Sequence, residues 1–170
     1  TGNMLLNDQK KLVEILRIAK KRKFVVCVHA EDDAIISRNS IKYSKGNVSV
    51  HDRIRDSEAE AASIRKLIKL QKKSKCKMHF CHISSRKGLL LIAKAKGKSK
   101  GITAEVTPHH LLLINKDVKR LGNFGKVNPS IKSEVDRRAL WNGIFNGAID
   151  IIATDHAPHT IAEKKRPYKD

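Results

Sequence analysis

The sequence predicts an α/β fold in which four parallel βα units form half of a (β/α)8, TIM-type barrel. Short apolar runs rich in β-branched residues alternate with amphipathic helical segments, which is typical of strands buried on both faces. A doubly wound sheet fits the same alternation, but no Gly-x-Gly-x-x-Gly fingerprint follows any of these runs. Four such units are half of the set that closes a barrel, so we expect a partial barrel.

The first half of the chain is predicted to hold two helices and the first strand. Asn7 or Asp8 is placed to cap an amphipathic helix, and residues 24–29 form a continuous apolar strand. A polar stretch around Gly46 predicts a loop. Residues 57–60 read Ser-Glu-Ala-Glu, the spacing of a capping box in which Ser57 caps the second helix.

The second half is predicted to add three strands and two helices. Residues 77–83 and 102–106 form the second and third strands, and Ser85 caps the helix between them. A long loop follows the third strand until Ser133 caps another helix. Residues 149–152 form the last strand, which ends just before a polar segment.

The basic composition first raises the class of nucleic-acid binders. The 170 residues include 36 Lys and Arg against 17 Asp and Glu, for a net charge of +19. The lysines are spread through every predicted helix, and no aromatic residues are interleaved with them to stack bases. We therefore expect a basic enzyme with a small-molecule substrate and no nucleic-acid partner.

Cysteine usage and hydropathy bear on the compartment. Cys27, Cys76 and Cys81 are odd in number and form no Cys-x-x-Cys pair, so a disulfide framework is not expected. No apolar run approaches the roughly 20 residues that span a bilayer. These features predict a cytoplasmic protein without a membrane partner.

Three metal-type residues occupy equivalent positions at predicted strand ends. His29 ends the first strand, His82 ends the second and Asp155 ends the last. Because side chains alternate along a strand, Cys27 should share a face with His29, and Phe80 and Met78 should share one with His82. If those faces look into a barrel, the three groups converge at its carboxyl rim and suit a divalent metal such as zinc.

Plainer interpretations exist for each of these residues. A histidine at a strand end is often a hydrogen-bonded structural residue, and Asp155 lies in a segment that also reads as a polar loop with a Pro turn. His79, His109 and His110 are expected to be structural. The coincidence of an acid and two histidines at matching strand ends favours the metal site, where a carboxylate can also carry a proton.

The motifs resemble those of the dihydroorotase family of the amidohydrolase superfamily over essentially the whole chain. They read His-Ala-Glu-Asp at 29–32, His-Ile-Ser-Ser at 82–85, Glu-Val-Thr-Pro-His-His-Leu at 105–111, Lys-Val-Asn-Pro at 126–129, and Ala-Thr-Asp-His-Ala-Pro-His at 153–159 followed by Lys164. The run at 105–111 favours dihydroorotase over allantoinase or hydantoinase, which share the metal scaffold. A non-catalytic dihydroorotase-like scaffold subunit is the other alternative.

The resemblance implies roles for individual residues. His29 and His82 would bind one zinc ion, while Asp155 would bind the other side of a metal pair and shuttle the proton. Asn128 and His159 match positions that contact dihydroorotate. The implied reaction is the reversible, zinc-dependent cyclisation of N-carbamoyl-L-aspartate to dihydroorotate in de novo pyrimidine biosynthesis. A homo-oligomer is implied, and an association with aspartate carbamoyltransferase is a further expectation.

The chain departs from the family pattern in two ways. After Asn-Pro the family usually has a second Pro and an Arg, where this chain has Ser130, Ile131 and Lys132. The family's first-strand His-x-His pair, its substrate-binding Arg and its bridging Lys or Asp have no counterpart here. We therefore expect residues 1–170 to be a single partial catalytic barrel domain, with one or two zinc ions and a bridging ligand outside this chain.

Overall fold

Four parallel strands lie side by side in chain order in the computed structural model, which describes residues 9–168. They are β1 (Val25–Val28), β2 (Lys77–Phe80), β3 (Ile102–Val106) and β4 (Ile151–Ile152). The register pairs Cys27 with His79, His79 with Thr103, and Glu105 with Ile151. This topology confirms the predicted fold class, although β1 ends one residue and β2 three residues earlier than expected. The predicted caps Asn7 and Asp8 lie outside the described residues.

Helices join each strand to the next. They are α1 (Gln9–Arg22), α2 (Asp33–Lys42), α3 (His51–Ile54), α4 (Ser57–Ser74), α5 (Arg86–Lys96), α6 (Pro108–Leu112), α7 (Asn115–Leu121), α8 (Glu134–Phe145) and α9 (Ile161–Lys164), with 3₁₀ turns at Val48–Val50 and Gly122–Gly125. None of the helices in the described part of the chain combines the length and apolar character that crossing a membrane requires.

The hydrophobic core lies between the sheet and its helix layer. Phe80 and Met78 are fully buried there, against Ile64 of α4 and Ile92 of α5. This corrects the expectation that Met78 and Phe80 share the face of His82 and look into the barrel. His82 lies two residues beyond the end of β2, where the extended alternation of side chains no longer applies.

The stretch around Gly46, predicted as a loop, contains two helices and a 3₁₀ turn. Helix α2 begins after Asp32, whose carboxylate accepts from the Ile35 amide at 3.2 Å, and Asn39 is its single buried residue. A helix with no apolar face lacks the periodicity that sequence analysis detects. The loop predicted before Ser133 likewise contains α6 and α7.

The N-cap of helix α4 is one residue earlier in the chain than the sequence pattern indicated. Asp56 is the N-cap, and its carboxylate accepts from the Glu58 and Ala59 amides at 3.1 and 2.8 Å. Ser57 is instead the first helical residue. Glu60 is therefore not part of a capping box, and its carboxylate has a different role.

Glu60 is buried and fixes the segment that follows β2. Its Oε1 accepts from the Ser84 amide at 2.8 Å and from the Ser84 hydroxyl at 3.1 Å, and its Oε2 accepts from the Ser85 hydroxyl. Ser85 caps α5 by accepting from the Gly88 amide at 3.0 Å, as predicted. Helix α4 thereby holds the turn that carries His82.

The corrected cap predicts different effects for two neighbouring alanine substitutions. Asp56→Ala removes the oxygen that accepts from two helix amides and one partner of Asn39, so we expect the free energy of unfolding to fall by about 1–2 kcal/mol. Ser57→Ala should change it by less than about 0.5 kcal/mol. Urea denaturation followed by circular dichroism measures both free energies. An equal loss of stability for Ser57→Ala would show that Ser57 caps the helix after all.

Candidate metal centre

The structure brings His29 and His82 into contact at the carboxyl edge of the sheet. His29 directly follows β1, and its Nδ1 lies 3.1 Å from Nε2 of His82. The ring centroids are 4.8 Å apart, with an angle of 71° between the ring planes. The two imidazoles therefore converge as the sequence predicted, each presenting one nitrogen to the other.

The backbone at two of the predicted ligands is left-handed. His82 has a φ of 38° and Asp155 a φ of 47°, a region that non-glycine residues rarely occupy. The His82 amide is held by Glu105, whose Oε1 accepts from it at 3.3 Å. Strained backbone of this kind concentrates at functional sites, where neighbouring contacts stabilise it.

Glu31 fixes the orientation of His29 from the side away from His82. Its Oε2 accepts from Nε2 of His29 at 2.9 Å and is paired with the Arg55 guanidinium. Burial alone would raise the pKa of Glu31, but the His29 hydrogen bond and the charges of Arg55 and Lys132 lower it to about 2. Because an ionised carboxylate only accepts, Nε2 of His29 donates, and Nδ1 carries the lone pair that faces His82.

Asp155, Asn128 and His159 line one open cavity of about 790 Å³ together with the two histidines. Burial and the proximity of His29 lower the pKa of His82, and the Asp155 carboxylate acts in the opposite direction. Burial also lowers the pKa of His109, and the Asp155 carboxylate acts in the direction that raises it. All five residues predicted for the site therefore border the same space.

The donor set suits a divalent cation. The lone pair of His29 Nδ1 points at a second imidazole nitrogen 3.1 Å away, and Nδ1 of the buried His82 has no hydrogen-bond partner among the described residues. Neutral imidazoles and a carboxylate are the ligands that zinc commonly takes in proteins. His29 and His82 could hold such an ion, and the Asp155 carboxylate could bind the same ion or a second one.

His109 also borders this cavity, although the sequence analysis treated it as structural. His110 is buried and donates from Nε2 to the Pro129 carbonyl at 3.1 Å, so it is a structural residue, as expected. Thr107 Oγ1 lies 2.8 Å from Nε2 of His109 and 2.7 Å from Nδ1 of His110. The Thr-Pro-His-His motif thus supplies one structural and one cavity-lining imidazole.

A second group of metal-type side chains lies on the face of the sheet opposite the helix layer. One ligand atom each of His79, Cys81 and Glu105 lies within 4.8 Å of the others. Burial and the nearby Glu105 carboxylate raise the pKa of the Cys81 thiol to about 12, which disfavours the thiolate that binds metals. His79 Nε2 instead contacts Glu105 Oε2 at 2.9 Å, so this group acts as a hydrogen-bonded support for Glu105.

Lys132, which stands where the family usually has Arg, does not reach the cavity. Its buried Nζ donates to the Arg55 carbonyl and the Ser130 hydroxyl, both at 2.6 Å. Burial lowers its pKa, opposed by the Glu60 and Glu31 carboxylates. This departure from the family pattern therefore lies among the residues that support the site, and Lys132 is not part of the cavity lining.

Comparison with known proteins identifies the relatives of this chain. No family model matches it. It is 38% identical over 157 residues to a protein named dihydroorotase from Geobacillus thermodenitrificans, and 36% identical over 172 residues to one from Methanosarcina acetivorans. These matches cover 91% and 96% of this chain. The chain is a homologue of the dihydroorotases. It spans 36% of the length of each of these two relatives.

Solved structures place this dihydroorotase homologue in the same fold as the hydantoinases. The L-hydantoinase (dihydropyrimidinase) from Arthrobacter aurescens superposes with a TM-score of 0.89 at 27% identity, over 95% of this chain and 36% of that one. A D-hydantoinase (dihydropyrimidinase) from Thermus sp. gives a TM-score of 0.90 at 21% identity, over 99% and 39%. The second likeness concerns the fold alone.

The contact between Glu31 and His29 predicts the effect of neutralising the carboxylate. Glu31→Gln keeps the side-chain volume but weakens the acceptor that fixes the imidazole, so we expect the affinity of the chain for Zn²⁺ to fall about 10–100-fold. Competition with a chromophoric chelator measures this affinity. Glu58→Gln, which alters an exposed ion pair with Arg65, is the matched control and should leave it unchanged.

Proposed function

We propose that this chain forms part of a zinc-dependent dihydroorotase, which interconverts N-carbamoyl-L-aspartate and dihydroorotate in de novo pyrimidine biosynthesis. The observation that carries the proposal is the pair of imidazole nitrogens of His29 and His82, 3.1 Å apart at the edge of a cavity that Asp155 also lines. Homology to dihydroorotases supports the choice of this activity among metal-dependent hydrolases.

The proposal assigns a role to each of the five residues. His29, His82 and Asp155 would hold zinc, as one or two ions, with the bridging ligand supplied from outside this chain. The bound metal supplies Lewis acidity, which polarises a carbonyl and favours hydroxide over water. Asp155 carries the proton: in the hydrolytic direction it passes a proton from the attacking water to the ring nitrogen as the C–N bond breaks. Asn128 and His159 bind the substrate.

The lining of the cavity suits an anionic substrate. Lys126, Lys164 and Arg166 border it together with His159, and the acidic residues of its described lining are Asp155 and Glu163. Dihydroorotate carries a carboxylate, which cations and N–H donors in such a cavity would attract. A neutral cyclic amide would gain less from this lining.

The wider setting of the chain belongs to the same proposal. Residues 1–170 would form one partial catalytic barrel domain, with the first half of the barrel and the C-terminal part outside it. A small-molecule substrate, a homo-oligomeric assembly, an association with aspartate carbamoyltransferase and a cytoplasmic location complete the proposal. The even spread of basic residues over the helices supports an absence of nucleic-acid binding.

Hydantoinase activity is the second candidate, because the structure superposes closely on the L-hydantoinase that is 27% identical to it. A substrate panel separates the two activities. We expect the complete enzyme, loaded with zinc, to turn over dihydroorotate at least about 100-fold faster than hydantoin or allantoin, measured by chromatography of the products. Faster turnover of hydantoin would replace the proposed substrate, and no turnover of any cyclic amide would support the scaffold alternative.

The role of Asp155 predicts a loss of turnover. Asp155→Ala removes both a metal ligand and the proton carrier, so kcat should fall by about 1,000-fold or more in both directions of the reaction. Circular dichroism should show an unchanged fold, because Asp155 is exposed three residues beyond the end of β4. A turnover near that of the parent enzyme would show that Asp155 is not the proton shuttle.

The role of His159 predicts a change in substrate binding instead. His159 is exposed and lines the cavity four residues beyond Asp155, with its Nδ1 3.9 Å from Glu163. His159→Ala should raise KM for dihydroorotate by about tenfold, the loss of one charge-assisted contact, with kcat changed less than threefold. Steady-state kinetics measure the split, and a fall confined to kcat would move His159 into the chemical step.

A further inference from the structure

His51 is a buried histidine that neither the sequence motifs nor the proposed mechanism uses. It begins α3, and 5% of its surface is exposed. Its Nε2 lies 2.9 Å from both the Val127 carbonyl oxygen and Oδ1 of Asn128, and its Nδ1 lies 2.8 Å from the Tyr168 hydroxyl. Both ring nitrogens are therefore in hydrogen bonds, one of them to a residue that lines the cavity.

The partners of His51 determine its tautomer. A main-chain carbonyl can only accept, so Nε2 carries the proton and donates to Val127. The same N–H reaches Asn128, and the atom of Asn128 that faces it must therefore be the carbonyl oxygen Oδ1. In the neutral ring Nδ1 is then an acceptor, and the Tyr168 hydroxyl donates to it.

The surroundings keep this ring neutral. Burial lowers the pKa of His51, and the charges of Arg55 and Lys132 lower it further, against the hydrogen bonds to Val127 and Asn128. Asp52, the neighbouring carboxylate, is occupied by the Asn115 side chain at 2.7 Å. A neutral ring that donates from Nε2 and accepts at Nδ1 satisfies Val127, Asn128 and Tyr168 together.

We propose that His51 is a positioning residue that fixes the carboxamide of Asn128, so that its Nδ2 amino group faces the cavity. This inference rests on the proposed function, in which Asn128 contacts the substrate. The ligand atom that meets Asn128 is then an acceptor, such as a carbonyl or carboxylate oxygen. Without His51 the carboxamide could rotate and present Oδ1, which repels such an oxygen.

Tyr168 extends this array to the segment that borders the cavity. Its ring lies 4.8 Å from Nζ of Lys126, and Lys126 Nζ donates to its carbonyl oxygen at 2.6 Å. Lys164 Nζ donates in turn to the Lys126 carbonyl at 2.7 Å. The hydroxyl of Tyr168 therefore reaches His51 from a segment that is tied to residues 126–128 at two further points.

Nuclear magnetic resonance of the ¹⁵N-labelled chain tests the geometry without any assay of activity. Two-bond ¹H–¹⁵N correlations should show His51 protonated at Nε2 alone at neutral pH. Tyr168→Phe should shift the Nδ1 resonance, and His51→Phe should shift the side-chain amide of Asn128. A ring protonated at Nδ1, or an Asn128 amide indifferent to His51→Phe, would overturn the proposal.

Kinetics of the complete enzyme test the consequence for binding. His51→Phe should raise KM for dihydroorotate about tenfold with kcat within about twofold, which corresponds to one misplaced hydrogen bond. His51→Gln, which retains a donor near the position of Nε2, should restore KM to within about threefold of the parent value. In an Asn128→Ala background, His51→Phe should have no further effect on KM.

The double substitution separates positioning from general support of the fold. If His51 acted only by stabilising the domain, its effect would add to that of Asn128→Ala, and this result would overturn the proposal. If the parent enzyme does not turn over dihydroorotate, the proposed function fails. The resonance measurements on the chain still decide whether His51 orients Asn128.

Discussion

The buried carboxylate of Glu31 is the contact on which the arrangement at the carboxyl edge of the sheet depends. It accepts from His29 and pairs with the guanidinium of Arg55, whose own carbonyl accepts from the buried ammonium of Lys132. One run of polar contacts thus joins the loop after β1, the end of α3 and the segment that carries Asn128. When opposite charges are buried together in this way, removal of one group destabilises the protein, because the remaining charge is left without a partner. Through these contacts Glu31 links three segments at the edge of the sheet.

The fold could be predicted wherever burial imposes a period on the sequence. Strands β2 and β3 and helices such as α4 and α5 bury side chains in the core and leave regular apolar patterns. Helix α2 has Asn39 as its single buried residue and leaves no such pattern. The cap of α4 was misassigned because Asp56 and Ser57 are both good caps, and the choice depends on the contact of Asp56 with Asn39 from another helix. Local sequence does not contain that contact.

The site could be predicted in part. The sequence predicts that His29, His82 and Asp155 lie close together because strand ends in a parallel sheet meet at one edge, and in the structure all three line one cavity. Their supporting residues were missed. Glu31 stands two residues from His29 within the same motif, and that spacing was an available signal. His51 and Asn128 are 77 residues apart, and only the folded chain brings them together. Sequence patterns reveal residues that lie in the same helix or strand, whereas a hydrogen bond between two loops produces no periodic pattern in the sequence.

The left-handed backbone at His82 and Asp155 restricts how these positions can vary. A glycine would adopt the conformation without strain but would supply no side chain, and a β-branched residue would supply bulk at a high conformational cost. Asparagine, aspartate and histidine are the side chains that both tolerate this region and offer a donor atom. The main-chain conformation therefore restricts these two positions to a few residue types, whatever chemistry the site performs. If the two side chains were grafted onto ordinary strand ends, the left-handed backbone conformation would be lost. A grafted site would therefore also need the Glu105 carboxylate, which accepts from the His82 amide.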